Sequence, residues 1–308
     1  MNPILGALLP IFAVIGVGWA LRRSGLIPAE QWPAISRLAY VGLSPALLFS
    51  VISRADLEAL SVAPAVLAAA LGFLSMGLLV IVLKPLIPAD GPAFTSIFQG
   101  AVRWNGLVIL ALATLSFGLD GEVLVSLIMV VTIPIVNIMA VTVLTIWGTS
   151  DKKPDAKAML WRIISNPLIL GCLAGGVANV FGWFQSGPIA DVLALMGRAA
   201  LPLILLAVGA ALDFSALNAR RHLLAISVTL KLIIAPLVFG GLAWTFGVRG
   251  EALAIVVLVG ASPGAASAYV LAQQLGGDRR LTAGDVTAST LFSLVTLPVA
   301  VWIATQLG

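Results

Sequence analysis

The sequence predicts an all-α polytopic membrane protein whose ten transmembrane helices form two halves of five, the second an inverted copy of the first, with helices four and nine interrupted near mid-bilayer. Three observations carry that fold: an extreme apolar composition, ten apolar stretches of spanning length, and short motifs that recur in order across a central polar linker. Of 308 residues, 60% are hydrophobic and only 10% are charged, whereas ordinary soluble domains carry about 25% charged residues. The net charge of +4 would suggest acidic partners in a soluble chain, but basic residues in a membrane protein chiefly set its orientation. Nucleic acid is therefore set aside as a partner, and the lipid bilayer is the expected surrounding. The lone Cys172 excludes an intrachain disulfide and a thiolate metal cluster.

A helix needs about 20 apolar residues to cross roughly 30 Å of hydrocarbon. Ten stretches qualify, at 3–21, 34–53, 62–83, 93–118, 123–147, 163–184, 188–212, 223–246, 252–275 and 286–307. The first has no basic residue before it and Arg22 and Arg23 after it, the reverse of a cleaved signal peptide, so it reads as a retained span with its N-terminus outside. Under that orientation the cytoplasmic connections hold Arg22, Arg23, Lys84, Lys152, Lys153, Lys157, Arg162, Arg220, Arg221, Arg279 and Arg280, and the outer ones only Arg54 and Arg249. The asymmetry obeys the positive-inside rule and puts both termini on the periplasmic side.

The longest hydrophilic stretch, GTSDKKPDAK at 148–157, divides the chain into a first repeat at 1–147, a cytoplasmic linker at 148–158 and a second repeat at 159–308. NPILG at 2–6 recurs as NPLILG at 166–171, LSPALL at 43–48 as ALPLILL at 200–206, and RADLEAL at 54–60 as ALDFSAL at 211–217. GLDG at 118–121 answers GGDR at 276–279, and TIP at 132–134 answers TLP at 296–298. An odd number of spans per half inverts the second copy, a design of secondary transporters that work by alternating access.

This alignment sets GAVRWNG at 100–106 opposite GASPGAA at 260–266. At about 1.5 Å per residue, Arg103 lies roughly 15 Å from the cytoplasmic start of span four and Pro263 roughly 16 Å from the outer start of span nine. Pro263 removes a backbone donor and disfavours helix at Ser262, while Gly264 permits an unwound turn. In span four only Asn105 and Gly106 hint at a break. Half-helix N-termini at such breaks offer N–H groups and partial positive charge to an anion. The competing reading is a proline kink in a packed helix.

Three cations sit at membrane depth, well inside their spans: Arg103, Arg198 and Lys231. Each costs roughly 2.5 to 3.5 kcal/mol at a helix centre. Asp191, Asp213, Glu122 and Asp285 all fall near predicted span ends, so no carboxylate shares that depth and an anionic ligand is the expected complement. Each cation also has a structural reading: carbonyl pairing for Arg103, snorkelling or packing for Lys231, and pairing with Asp191 for Arg198. Ser262, Ser267 and Tyr269 flank the second break. Asn137, beside Pro134 in span five, either lines the cavity or makes an interhelical hydrogen bond. The candidate substrate-binding set is thus Arg103, Asn105, Gly106, Asn137, Lys231, Ser262, Pro263, Gly264, Ser267 and Tyr269. No nucleophile with its base, metal-ligand pair or paired catalytic acids is visible. No catalytic, cofactor or metal residues are expected.

LSPALLF at 43–49, Asn105–Gly106 with LVILALATLSFG after it, ALPLILLAVGAAL at 200–212 and above all ASPGAASAYVLAQQLGGD at 261–278 resemble the auxin efflux carrier family, which includes plant PIN proteins and bacterial organic-acid carriers. The resemblance covers nearly the whole chain. It implies the crossover architecture also found in bile-acid symporters and sodium–proton exchangers, with spans one, two, six and seven as scaffold and the rest as a transport domain. It further implies that substrate binds where broken spans four and nine cross, and that Asn105 matches the family's substrate-contacting Asn. The family's proline in span four is missing here, and so is the long cytoplasmic loop of the plant members. The expected function is elevator-type transport of small organic anions, auxin-like or malonate- and malate-type carboxylates, across a bacterial inner membrane. With no visible coupling carboxylate the expectation leans to uniport; the alternative is a sodium- or proton-coupled symporter of the same architecture. A homodimer is compatible with the sequence.

Overall fold

The structure, a computed structural model, describes residues 3–56, 62–150, 155–218 and 220–307. These are all-helical, with no strand among them. In chain order, α1 is Pro3–Arg23, α2 Trp32–Arg37, α3 Ser44–Ser53, α4 Val62–Leu83, α5 Gly91–Val102 and α6 Gly106–Trp147. There follow α7 Ala156–Ile164, α8 Pro167–Phe181, α9 Pro188–Ala210, α10 Arg221–Thr229 and α11 Ala235–Thr245. Last come α12 Gly250–Gly260, α13 Ser267–Leu275 and α14 Arg279–Leu307. π-helical turns at Leu38–Leu43 and Leu230–Ile234 join α2 to α3 and α10 to α11.

Helix covers each apolar stretch read from the sequence, with shifted ends. Span ten begins at Arg279 rather than 286, and span six is divided between α7 and α8. The second part of span four and span five follow one another in α6 and are separate helices that meet at Gly118, whose non-helical φ of 64° breaks the run. Among the described residues, six helical runs are long and apolar enough to cross a membrane: Ala29–Ser53, Val62–Leu86, Gly91–Trp147, Pro188–Ala210, Arg221–Thr245 and Arg279–Gln306.

Helix ends follow local chemistry. Asp90 caps α5, its carboxylate accepting from the Ala93 N–H at 2.9 Å, and Asn166 caps α8 through the Leu168 N–H at 2.9 Å. Each cap satisfies donors that the first turn leaves orphaned.

The helices fall into two compact units interleaved along the chain: Met1–Val62, Leu107–Val130 and Ala156–Ala211 in the first, and Ala63–Gly106, Val131–Asp155 and Leu212–Gly308 in the second. In the first unit the backbones of α1 and α9 touch. A Cβ on Gly18 would overlap the carbonyl oxygen of Leu206, and one on Gly209 that of Ile15. Gly171 and Gly175 of α8 also approach the backbone of α3, where an added Cβ would lie 2.7 Å from the Pro45 carbonyl oxygen and 2.9 Å from that of Phe49. Lipid gives helices no hydrophobic reason to associate, so close approach over small residues supplies the packing.

The second unit has an aromatic centre, where Phe73 of α4 meets Phe239 of α11 edge-on at 4.8 Å. It also has a polar seam: the Thr282 hydroxyl of α14 donates to the Ser96 Oγ of α5 at 2.9 Å, and Ser96 Oγ donates to the Asp278 carbonyl at 3.0 Å. At one end of this unit Arg220 pairs with Asp90 at 2.8 Å and with Asp278 at 3.5 Å.

The hydrogen bond from Arg220 holds the Asp90 carboxyl below its ordinary range, with the Ala93 N–H adding to the effect. A depressed folded-state pKa contributes stability that is present above the ordinary carboxylate value and lost as pH falls through the lowered one. The pair is well exposed to solvent. Arg220→Ala is therefore expected to cost no more than about 0.2–1 kcal/mol, read as a small drop in thermal midpoint at neutral pH that disappears in strong acid.

Candidate functional site

Both interruptions exist, and they meet. Helix α5 stops at Val102, Arg103 takes extended backbone angles (φ −71°, ψ 141°), and α6 starts at Gly106. Helix α12 stops at Gly260, and α13 begins only at Ser267. The Asn105 N–H donates to the Pro263 carbonyl at 3.0 Å and to Ser262 Oγ at 3.0 Å.

This exchange accounts for a break without a proline in span four. The Asn105 amide finds its acceptors on the other unwound segment instead of four residues back, while Asn and Gly resist helix only weakly on their own. Every buried backbone group needs a partner, and non-helical backbone at membrane depth survives only inside protein or beside water.

Arg103 and Asn105 are 8% and 9% exposed. The Arg103 guanidinium donates through Nη2 to Asn137 Oδ1 at 2.9 Å, so Asn137 is drawn to the crossing by a side-chain hydrogen bond. Ser262, Pro263 and Gly264 are buried there and Gly106 is half-buried. Ser267 and Tyr269 lie beyond the buried segment, on exposed positions of α13.

Lys231 is 1% exposed and sits in the second π-helical turn, a feature often found at functional sites. Its neighbours are the Phe73 ring, 6.0 Å from Nζ, and Asp285, with which it interacts electrostatically.

One reading of the charges is corrected. Asp285 does not lie at a span end: α14 starts at Arg279, which carries Asp285 into the interior at 2% exposure. A carboxylate thus shares the environment of Lys231, and the ground for preferring uniport falls. Arg198, the third of these cations, lies midway along α9 on a position exposed at the surface of the protein.

The sequence reading also missed what surrounds Asp285. A Cβ on Gly100 of α5 would lie 2.6 Å from both carboxylate oxygens and overlap Ser227 Oγ of α10. A Cβ on Gly264 would lie 3.2 Å from Asp285 Oδ2 and from Ser289 Oγ, and the Gly264 N–H donates to Ser289 Oγ at 3.0 Å. Asp285 Oδ1, Ser227 Oγ and both polar atoms of Gln99 are buried without a hydrogen-bond partner among the described residues. A signal was present: Thr282, Asp285, Ser289 and Ser293 recur at helical spacing in LTAGDVTASTLFSL, a polar stripe along one face.

Known proteins resemble the chain along its length. A "Putative malonate transporter" of Rhizobium meliloti is 26% identical over 304 residues, covering 96% of this chain and 94% of the relative. An "Uncharacterized transporter" of Methanothermobacter thermautotrophicus is 25% identical over 295 residues, covering 94% and 95%. The family described as Membrane transport protein matches residues 3–301. With nearly the whole chain matched and the crossing motifs in place, the protein belongs to this family of membrane transporters, the auxin efflux carriers whose motifs it resembles.

Proposed function

We propose that the protein is a secondary carrier of small organic anions, mono- or dicarboxylates, in a bacterial inner membrane. The observation that carries this reading is the pair of unwound segments joined by the Asn105–Pro263 hydrogen bond, with Arg103 in the same stretch. Discontinuous helices of this kind direct half-helix N-termini and free backbone groups at a carboxylate. Arg103 and Asn105 would hold the carboxylate, helped by backbone N–H groups near Pro263 and Gly264. Ser267 and Tyr269, exposed beyond the break, would meet the rest of the solute. The malonate named for the Rhizobium relative fits this chemistry.

The chain would cross the membrane ten times as a five-plus-five inverted repeat with both termini periplasmic. Movement would follow an elevator scheme, and the interleaved units support it. The first unit gathers spans one, two, six and seven, the expected scaffold, together with residues 107–130. The second holds the unwound segments and would travel.

The test is a thermal-shift and proteoliposome uptake screen of the purified protein against malonate, malate, lactate and aromatic acetates. Stabilisation by and saturable uptake of at least one carboxylate is expected. An inserted, folded protein that neither binds nor moves any of them would exclude the reading.

A further inference from the structure

The Asp285 cluster lies behind the crossing and is not consumed by anion binding. Three separate elements converge on the carboxylate: α5 through Gly100, α10 through Ser227, and the unwound segment 261–266 through Gly264. The contact at Gly100 exists only because that residue has no side chain, and at Gly264 an added Cβ would crowd Asp285 Oδ2 at 3.2 Å, so the carboxylate lies against the backbones of both interrupted spans. Gly264 is two residues from Ser262, which binds the Asn105 N–H. The charge state of Asp285 is therefore felt at the crossing.

Among the described residues Lys231 interacts electrostatically with Asp285, and Arg103 lies in the unwound stretch that follows α5. Helices α5 and α13 carry no acidic or basic residue, and the lone charge of α12, Glu251, is at its exposed outer end. Arg221 and His222 of α10, Arg279 and Arg280 of α14, Asp213 and Tyr269 are likewise exposed.

We infer that Asp285, with Lys231 beside it, is a proton-binding site that couples passage of the organic anion to co-transport of one proton. The inference rests on the carrier reading above. With Asp285 ionised, its negative charge opposes an anion bound on the other side of Gly264. With the carboxyl protonated and Lys231 still an ammonium, the pair carries one net positive charge, which adds to that of Arg103 at the crossing and favours the anion. Proton and anion thus raise each other's affinity by the same factor.

The step balances simply. A proton from water on one side adds to the carboxylate, forming one O–H bond, and leaves the same oxygen for water on the other side. Ser227, Gln99 and Asp285 itself supply buried hydrogen-bonding atoms that lack partners among the described residues, and a carboxylic acid can use them as donor or acceptor. A proton suits the site better than sodium, because the Lys231 ammonium already supplies a cation and a metal ion would add a second one.

Full-length protein in sealed liposomes, with the potential clamped at zero by potassium and valinomycin, provides the test. Radiolabelled malonate is the probe, at pH values where its own charge does not change. Acid outside is expected to drive malonate accumulation of about tenfold per pH unit, the ratio for one proton per anion, while an equal sodium gradient drives none. Asp285→Asn is expected to lose this response whatever its rate of downhill flux.

Because that variant could fail to fold, proton uptake on adding malonate to the weakly buffered wild-type protein is measured as well, with about one proton per anion expected. Malonate counterflow that ignores the pH gradient, accumulation driven by sodium, proton uptake of zero, or a full pH response in Asp285→Asn overturns the inference and leaves the carrier reading intact. Absence of counterflow and uptake for every acid in the screen overturns the carrier reading, and this inference with it.

Discussion

Replacing Arg103 with alanine is expected to lower organic-anion uptake by about 10- to 150-fold while leaving the protein folded, the loss that follows when a hydrogen bond to a charged group, worth about 1.5–3 kcal/mol, is removed. The guanidinium is placed for that role by two constraints. Its backbone is the first unwound residue after α5, and its Nη2 is held at 2.9 Å by Asn137 Oδ1. A neutral amide partner orients the planar donor set without cancelling its charge.

Arg103→Lys should recover part of the flux, because charge returns but the fixed fork of donors does not. Asn137→Ala should be milder, since it loosens the guanidinium without removing it. The thermal midpoint of Arg103→Ala should hold or rise, because a buried cation is itself costly at membrane depth. Wild-type uptake in an inserted Arg103→Ala protein would remove the central role given to this residue.

The largest stability loss is expected from Gly209→Ala. A Cβ there overlaps the Ile15 carbonyl oxygen and comes within 2.7 Å of the Ile15 carbonyl carbon and 3.0 Å of the Trp19 nitrogen. All three are backbone atoms of α1, so no side-chain rotation can relieve the contact and the helices must move apart. Overpacking commonly costs about 1–3 kcal/mol, and here it is compounded by lost packing along α1 and α9. The better helix propensity of alanine returns only about 1 kcal/mol.

Gly176→Ala is the matched control: it lies in α8 with nothing within 4 Å of the added atom, and it should be neutral or slightly stabilising. Thermal size-exclusion profiles in detergent compare the two. Equal midpoints would mean that the α1–α9 contact is not a rigid one.

The break in span nine was legible because Pro263 and Gly264 carry their conformational restrictions locally. The break in span four was legible only through its repeat partner, since the acceptors that replace helical bonding for Asn105 belong to residues 262 and 263, far away in the chain. Lys231 stands out in the sequence as a cation within a span, open to snorkelling or packing, whereas its neighbour does not. Placing the start of span ten at residue 286 left Asp285 outside, whereas the polar stripe through Thr282, Ser289 and Ser293 would have moved that start outward. Ser267 and Tyr269 show the converse: they are close to the break in sequence, yet the turn into α13 carries them to exposed positions.

By itself the sequence determined that this is a helical membrane protein with paired interruptions and a cation beside one of them. Hydrophobic length, proline and glycine restrictions and charge cost act within a single segment and need no neighbour. Only the tertiary structure decided that Asn105 bonds to Pro263, that Asn137 holds Arg103, and that Asp285 is pressed between Gly100 and Gly264. Those outcomes depend on which backbones approach closely enough to exclude a Cβ, and that distance is set by the packing of helices far apart in the chain.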